Sequence, residues 1–197
     1  HFSARLYPQG FTFDSAGIAI FPEKPLLFVA LLNSCVFSAL LAPLSQTLNF
    51  TVGDIGRFPI IDSVLELSQP HTAELAISLA RADWDNFETS WDFRDQPLLR
   101  QGLMGVSLEE SWRNWETQST AAIRRMQELE TENNRLFIAA YGLDGELQPE
   151  VPEEQITLAR AEPRKDLATF LSYATGCMMG RYSFDHPGLI LADSRDS

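Results

Sequence analysis

The chain has 197 residues and a mass of 22.1 kDa, with 45% apolar and 11% aromatic residues, the composition of a folded protein and not of a disordered one. Fifteen Lys/Arg stand against 27 Asp/Glu, a formal charge of −12. That balance argues against free-standing nucleic-acid binding, which depends on cations neutralising phosphates.

The first region is predicted to span residues 1–61. Its start, His1-Phe2-Ser3-Ala4-Arg5, carries no signal-peptide pattern and reads as a cut end. Gly10–Asp14 and Ala16–Phe21 alternate or run apolar between glycines, as short strands do, and Pro22 closes the second. Pro25 suits the first turn of a helix, and Leu26–Leu41 reads as one helix that is apolar nearly all round, hence buried. The longer run Pro25–Leu44 is not a membrane span, since Asn33, Ser34, Cys35 and Ser38 interrupt it and Pro43 breaks it short of the ~20 clean residues a span needs. Asn49–Val52 is a predicted strand, Gly53-Asp54 a turn, and Phe58–Ile61 a final extended piece.

The second region, residues 62–145, reads as helical with a polar exterior. Glu74–Ala82 has helical spacing, and Trp84, Phe87 and Trp91 would share one helix face. Ser107 and Glu110 form a Ser-x-x-Glu capping box, and the helix they open is predicted to run to Tyr141, with Gly142 as a left-handed C-cap. Two heptad rows mark its inner side, Leu108/Trp115/Ala122/Leu129/Leu136 and Trp112/Ser119/Met126/Asn133/Ala140. At 1.5 Å per residue this strut would reach roughly 50 Å, a length that usually packs on another helix.

The third region, residues 146–197, opens on an exposed linker with Pro149, Pro152, Glu153 and Glu154. Gln155–Leu158 follows as a short strand or extended contact. Asp166 is the predicted N-cap of a helix whose apolar stripe is Leu167, Phe170, Leu171, Ala174, Cys177 and Met178, ending near Gly180. The fold class expected is α+β and predominantly α: a small mixed sheet with a buried helix, then a long helical spacer and a C-terminal helix.

Several segments carry a resemblance. They are Phe11–Asp14, Leu31-Leu-Asn-Ser34, Asn49–Ile55 with Pro59, Asp83–Phe93, Asn134–Leu143, and Asp166–Asp185 with its Ser172-Tyr-Ala-Thr-Gly-Cys-Met-Met-Gly-Arg-Tyr182. In this order they resemble the C-terminal part of large bacterial adenine-specific DNA methyltransferases of bacteriophage-exclusion and restriction–modification type. The resemblance implies a parent that transfers a methyl group from S-adenosylmethionine to adenine N6 in a specific duplex sequence. It implies residues 1–61 as the end of a target-recognition domain, 62–145 as a spacer and 146–197 as a C-terminal cap. The family's Asn-Pro-Pro-Tyr/Phe signature and a Gly-rich cofactor loop are absent from the chain. No catalytic, cofactor-binding or metal residue is therefore assigned, and S-adenosylmethionine is expected only in the missing catalytic domain. The expected partners are duplex DNA in the context of the parent, its own catalytic domain and other defence subunits, in the cytoplasm and without a membrane.

Arg5, Gln46, Asn49 and Thr51 are the candidate DNA contacts, since Arg pairs with guanine and Asn or Gln with adenine in the major groove. Lys24 and Arg57 are candidate phosphate contacts. For all six the plain alternative is capping and ordinary surface. The acidic-aromatic run 83–93 would repel phosphates, so a structural role is preferred to base stacking. His71-x-x-Glu74 has too few ligands for a metal site and reads as a surface pair. Cys35 and Cys177 read as buried thiols without a disulfide. The rival reading of the whole is an acidic helical module that docks partner subunits without touching DNA.

Overall fold

The structure is a computed structural model that describes residues 2–8, 10–12, 18–43, 51–68 and 70–190. Helices dominate. They are α1 (Pro25–Leu32), α2 (Cys35–Leu41), α3 (Val52–Gly56), α4 (Asp62–Leu65), α5 (His71–Trp84), α6 (Leu108–Tyr141) and α7 (Pro163–Met178), with 3-10 turns at Pro97–Leu99 and Glu153–Gln155. Two compact units are formed, each from two stretches of chain. The first is His1–Ile77 with Met126–Gln155, and the second Ser78–Arg125 with Ile156–Ser197.

The predominantly helical character is as expected, but no strand occurs among the described residues; an isolated bridge joins Asp144 and Leu147. The predicted small mixed sheet is thus not found there. Ile18–Phe21 pairs with no neighbour in a ladder. Val52 belongs to a helix, because Thr51 and Asp54 close a reciprocal capping box that turns the predicted strand end and turn into α3. Phe58 leaves the extended piece to enter the core, 7% exposed. Residues 13–17 and 44–50, with parts of the predicted strands Gly10–Asp14, Ala16–Phe21 and Asn49–Val52, lie outside the described residues.

In the first unit, the apolar run predicted as one helix is two. Asn33 ends α1 by donating to the Val29 carbonyl at 2.8 Å, while its amide group exchanges hydrogen bonds with the Ala4 backbone at 2.9 and 3.0 Å. Ser34 then turns to an extended conformation and caps α2, accepting from Phe37 N at 3.2 Å and donating to Leu31 O at 2.7 Å. The core gathers Leu27, Leu31, Val36, Phe37, Leu41, Phe58, Val64, Phe137 and Ile138. Fully buried Phe37 lies between Phe2, at a ring separation of 4.9 Å, and Phe58, at 4.5 Å.

α6 confirms both predicted ends. Ser107 Oγ accepts from Glu110 N at 3.2 Å, and Glu110 reaches back to Val106 N at 2.8 Å, one residue before the cap. Gly142 is left-handed (φ +67°), with Leu143 N bonding Ile138 O and Gly142 N bonding Ala139 O, a Schellman motif. The buried stripe keeps Trp115, Ser119, Met126 and Leu129 of the heptad rows and departs from them elsewhere. Trp115, Met126 and Phe137 recur every 11 residues, joined by Ile123 and Asn134, while Leu108 is 40% exposed. A straight helix drifts about 20° per heptad, so its inner face follows the 3.6-residue period.

The second unit is centred on an aromatic cluster. Phe93 meets Tyr173 and Tyr182 edge-on at 5.9 and 5.6 Å, and the two tyrosines stack at 5.0 Å. α7 starts at Pro163 and not at Asp166; Glu162 is the N-cap position. Asp166, 8% exposed, accepts from Glu162 N at 2.8 Å and from Trp112 Nε1 at 3.0 Å. Its position rotates the helix relative to expectation. Tyr173 and Gly176 face inward, whereas Leu167, Leu171 and Met178 of the predicted stripe are exposed. The predicted helical face 84/87/91 does not form either, since α5 stops at Trp84 and turns follow.

Candidate functional site

Of the six candidate contacts, four are described; Gln46 and Asn49 lie outside the described residues. Lys24 is half-buried and donates from Nζ to the carbonyls of Leu65 (2.5 Å) and Leu67 (3.2 Å), at the end of α4. Its charge serves a helix C-terminus, where cations are favoured. Thr51 is occupied as the α3 cap, its Oγ1 accepting from Asp54 N at 3.2 Å and donating to Asp54 Oδ2 at 2.8 Å. Those bonds from the Thr51 backbone and hydroxyl, with the charge of Arg57 contributing least, hold the Asp54 carboxyl below its ordinary range. Arg57 is exposed at the other end of α3, and Arg5 is exposed beside Ala4.

The structure brings Thr51 and Arg57 together on one short helix. Arg5 and Lys24 fall near opposite ends of α1, about 12 Å apart by helix rise.

Charge sorts by unit in a way that contiguous reading of the sequence misses. The first unit holds four Lys/Arg against fourteen Asp/Glu, a formal −10; the second holds eleven against thirteen, −2. The four described candidates therefore belong to the strongly acidic unit. The exposed cations of the second unit include Arg81, Arg94, Arg113, Arg124, Arg164 and Lys165. The signal that could have found them is the count of cations after residue 77, where eleven of the fifteen fall outside the first unit.

Polar side chains along α6 are spent on backbone. In the first unit Asn134 accepts from Cys35 N at 2.9 Å and donates to Pro149 O at 3.0 Å, Asn133 donates to Ala30 O at 2.9 Å, and Gln127 donates to Val151 O at 2.7 Å. In the second, Ser119 donates to Ala159 O at 2.8 Å, while Ala159 N is held by both oxygens of Asp83. Burial raises the Asp83 carboxyl above its ordinary value, opposed in part by that N–H. Burial alone raises Glu130, and pushes the Tyr141 hydroxyl, which donates to Pro59 O, up to about 12.

Among the described residues, no three His, Cys, Asp or Glu come together as metal ligands, and no helix is long and apolar enough to cross a membrane. His71 and Glu74 form an exposed surface pair at 3.1 Å. Cys35 and Cys177 are free, half-buried thiols. What the arrangement offers is a held scaffold with an uneven charge distribution.

Along nearly its whole length the chain is related to a segment of adenine-specific methyltransferases, as the resemblance implied. It is 37% identical to adenine-specific methyltransferase PglX of Lacticaseibacillus casei (strain Zhang) over 200 residues, covering 97% of this chain and 16% of that protein. It is 33% identical to adenine-specific methyltransferase BrxX of Escherichia coli O9:H4 (strain HS) over 217 residues, covering 97% of this chain and 17% of that protein. The chain thus spans about a sixth of the length of these relatives. No family model matches it.

Proposed function

We propose that the chain is a non-catalytic segment of an S-adenosylmethionine-dependent, site-specific adenine-N6 DNA methyltransferase of phage-exclusion type. Its work is to hold the target-recognition region and to join it to the remainder of the enzyme. The observation that carries this reading is the match of 97% of the chain to two adenine-specific methyltransferases while spanning only 16–17% of each. The missing Asn-Pro-Pro-Tyr/Phe signature supports placing the chemistry outside residues 1–197. Such chemistry needs a flipped base and a clamp on its amino group.

Any DNA contact falls to the second unit, whose −2 leaves its exposed cations less opposed than those of the −10 unit. The first unit, with its closed core and acidic exterior, suits packing against protein. That charge also favours a second reading, a docking module with no DNA contact. Salt discriminates: phosphate neutralisation makes affinity fall steeply as salt rises, whereas an apolar helical interface responds little.

The test uses purified chain, S-adenosylmethionine and duplex DNA beside the full-length parent. Adenine-N6 transfer by the parent and none by the chain is expected. Sequence-dependent transfer by the chain alone would overturn the reading.

A further inference from the structure

Trp91 is fully exposed, at 102% of its reference area, yet the loop that carries it is tied down on both sides. Ser90, 9% exposed, donates to Asp85 at 2.5 Å and accepts from Asp92 N at 3.1 Å. Phe93 sits in the Tyr173/Tyr182 cluster. Arg100 bonds Asp95 at 2.8 Å and Asn86 at 3.0 Å, and the Tyr182 hydroxyl donates to Glu88 at 3.2 Å. A large aromatic held in water by a braced loop has already met much of the ordering cost of association, the property of an interface anchor.

The charge around it selects the partner. Residues 83–95 hold Asp83, Asp85, Glu88, Asp92 and Asp95 against Arg94, and Arg100 pairs with Asp95, which leaves the braced loop at a net −3. Phosphates would be repelled, so a base-stacking role is disfavoured; an apolar pocket rimmed by Lys and Arg would be attracted. The relatives are about six times longer than this chain. A DNA-acting parent that includes a −12 segment must carry its cations elsewhere.

We propose that the Trp91 loop anchors this segment to a basic-rimmed apolar pocket in the remainder of the parent methyltransferase. The proposal rests on the reading of the chain as a segment of such an enzyme. It places Trp91 as the buried anchor and Asp92, exposed beside it, as a rim charge that orients docking.

The experiment places the photo-crosslinking residue p-benzoylphenylalanine at Trp91 in the full-length protein and maps the adduct by mass spectrometry. The expected product is an intramolecular adduct to a peptide outside residues 1–197 that contains Lys or Arg. A second variant carrying Asp92→Lys as well should give about ten-fold less adduct. An adduct within residues 1–197, on DNA, on a separate protein or on a peptide without Lys or Arg overturns the proposal. So does no adduct at all, or a yield unchanged by Asp92→Lys. Adenine methylation is assayed on the same preparations without irradiation. An adduct from a protein that methylates no adenine sinks the functional reading alone; methylation without an adduct sinks the anchor alone.

Discussion

Asn134→Ala removes one side chain that satisfies two distant backbone groups. Asn134 is 6% exposed on α6, its Oδ1 takes the Cys35 N–H at 2.9 Å, and its Nδ2 gives to Pro149 O at 3.0 Å. The Cys35 N–H is at the first position of α2, where no helical carbonyl is available to it. Alanine leaves that donor and the Pro149 acceptor unmet. A buried group stranded in this way costs about 1–3 kcal/mol. Water reaching the half-buried Cys35 would lower the sum, so a loss of about 2–4 kcal/mol is expected. For a chain of this size, each kcal/mol moves the melting temperature by about 2–4 °C, which gives a drop of roughly 4–16 °C. Thermal and urea denaturation followed by circular dichroism measure it. Asn134→Asp keeps the acceptor for Cys35 but turns a carboxylate oxygen toward Pro149 O in a buried site, so it should cost at least as much as alanine. A loss below about 0.5 kcal/mol for alanine, the range of ordinary surface changes, would refute the reasoning.

Three further perturbations probe separate parts. Asp83→Asn keeps an acceptor for Ala159 N and abolishes a carboxylate whose ionisation burial disfavours. Because the folded state holds that proton to higher pH than the unfolded carboxyl near 3.8, the contribution of Asp83 to stability is lost as pH rises through its folded value. The variant should therefore match it at pH 3 and exceed it at pH 7; urea titrations showing the reverse trend would contradict this. Gly176→Ala places a methyl 2.6 Å from Cδ2 of Tyr182, whose ring is stacked on Tyr173, and should cost about 1–3 kcal/mol in the same assay. A neutral result would mean that the ring moves freely. Ser34→Ala deletes the α2 cap and should cost about 1 kcal/mol, whereas Ser34→Gly should cost only a few tenths as a cap.

α6 was legible from residue 107 to residue 142 because its stops are local: a serine cap, a glutamate three residues on, and a glycine that alone takes a left-handed turn cheaply. The division of the apolar run was also written locally, as Asn33-Ser34, but average hydrophobicity masked it. The inner face of α6 was harder. A heptad reading puts Asn133 and Ser119 in a helix seam, whereas they bond the carbonyls of Ala30 and Ala159. Which distant backbone a polar side chain meets is not a matter of spacing. The aspect of α7 was likewise reversed in part: Asp166 is drawn inward by Trp112 and the Glu162 N–H, and leucines turn out. For the candidate site, residue type suggested Lys24 and Thr51, but the structure spends both on helix ends. The charge division was hidden because each unit is assembled from two separated stretches.

The central claim is tested most directly by long-read detection of N6-methyladenine in cells carrying the parent gene intact or with this segment deleted, once the shortened protein is shown to be expressed and to bind S-adenosylmethionine. Loss of methylation at one defined sequence is the predicted result. Methylation unchanged in extent and sequence would contradict the account.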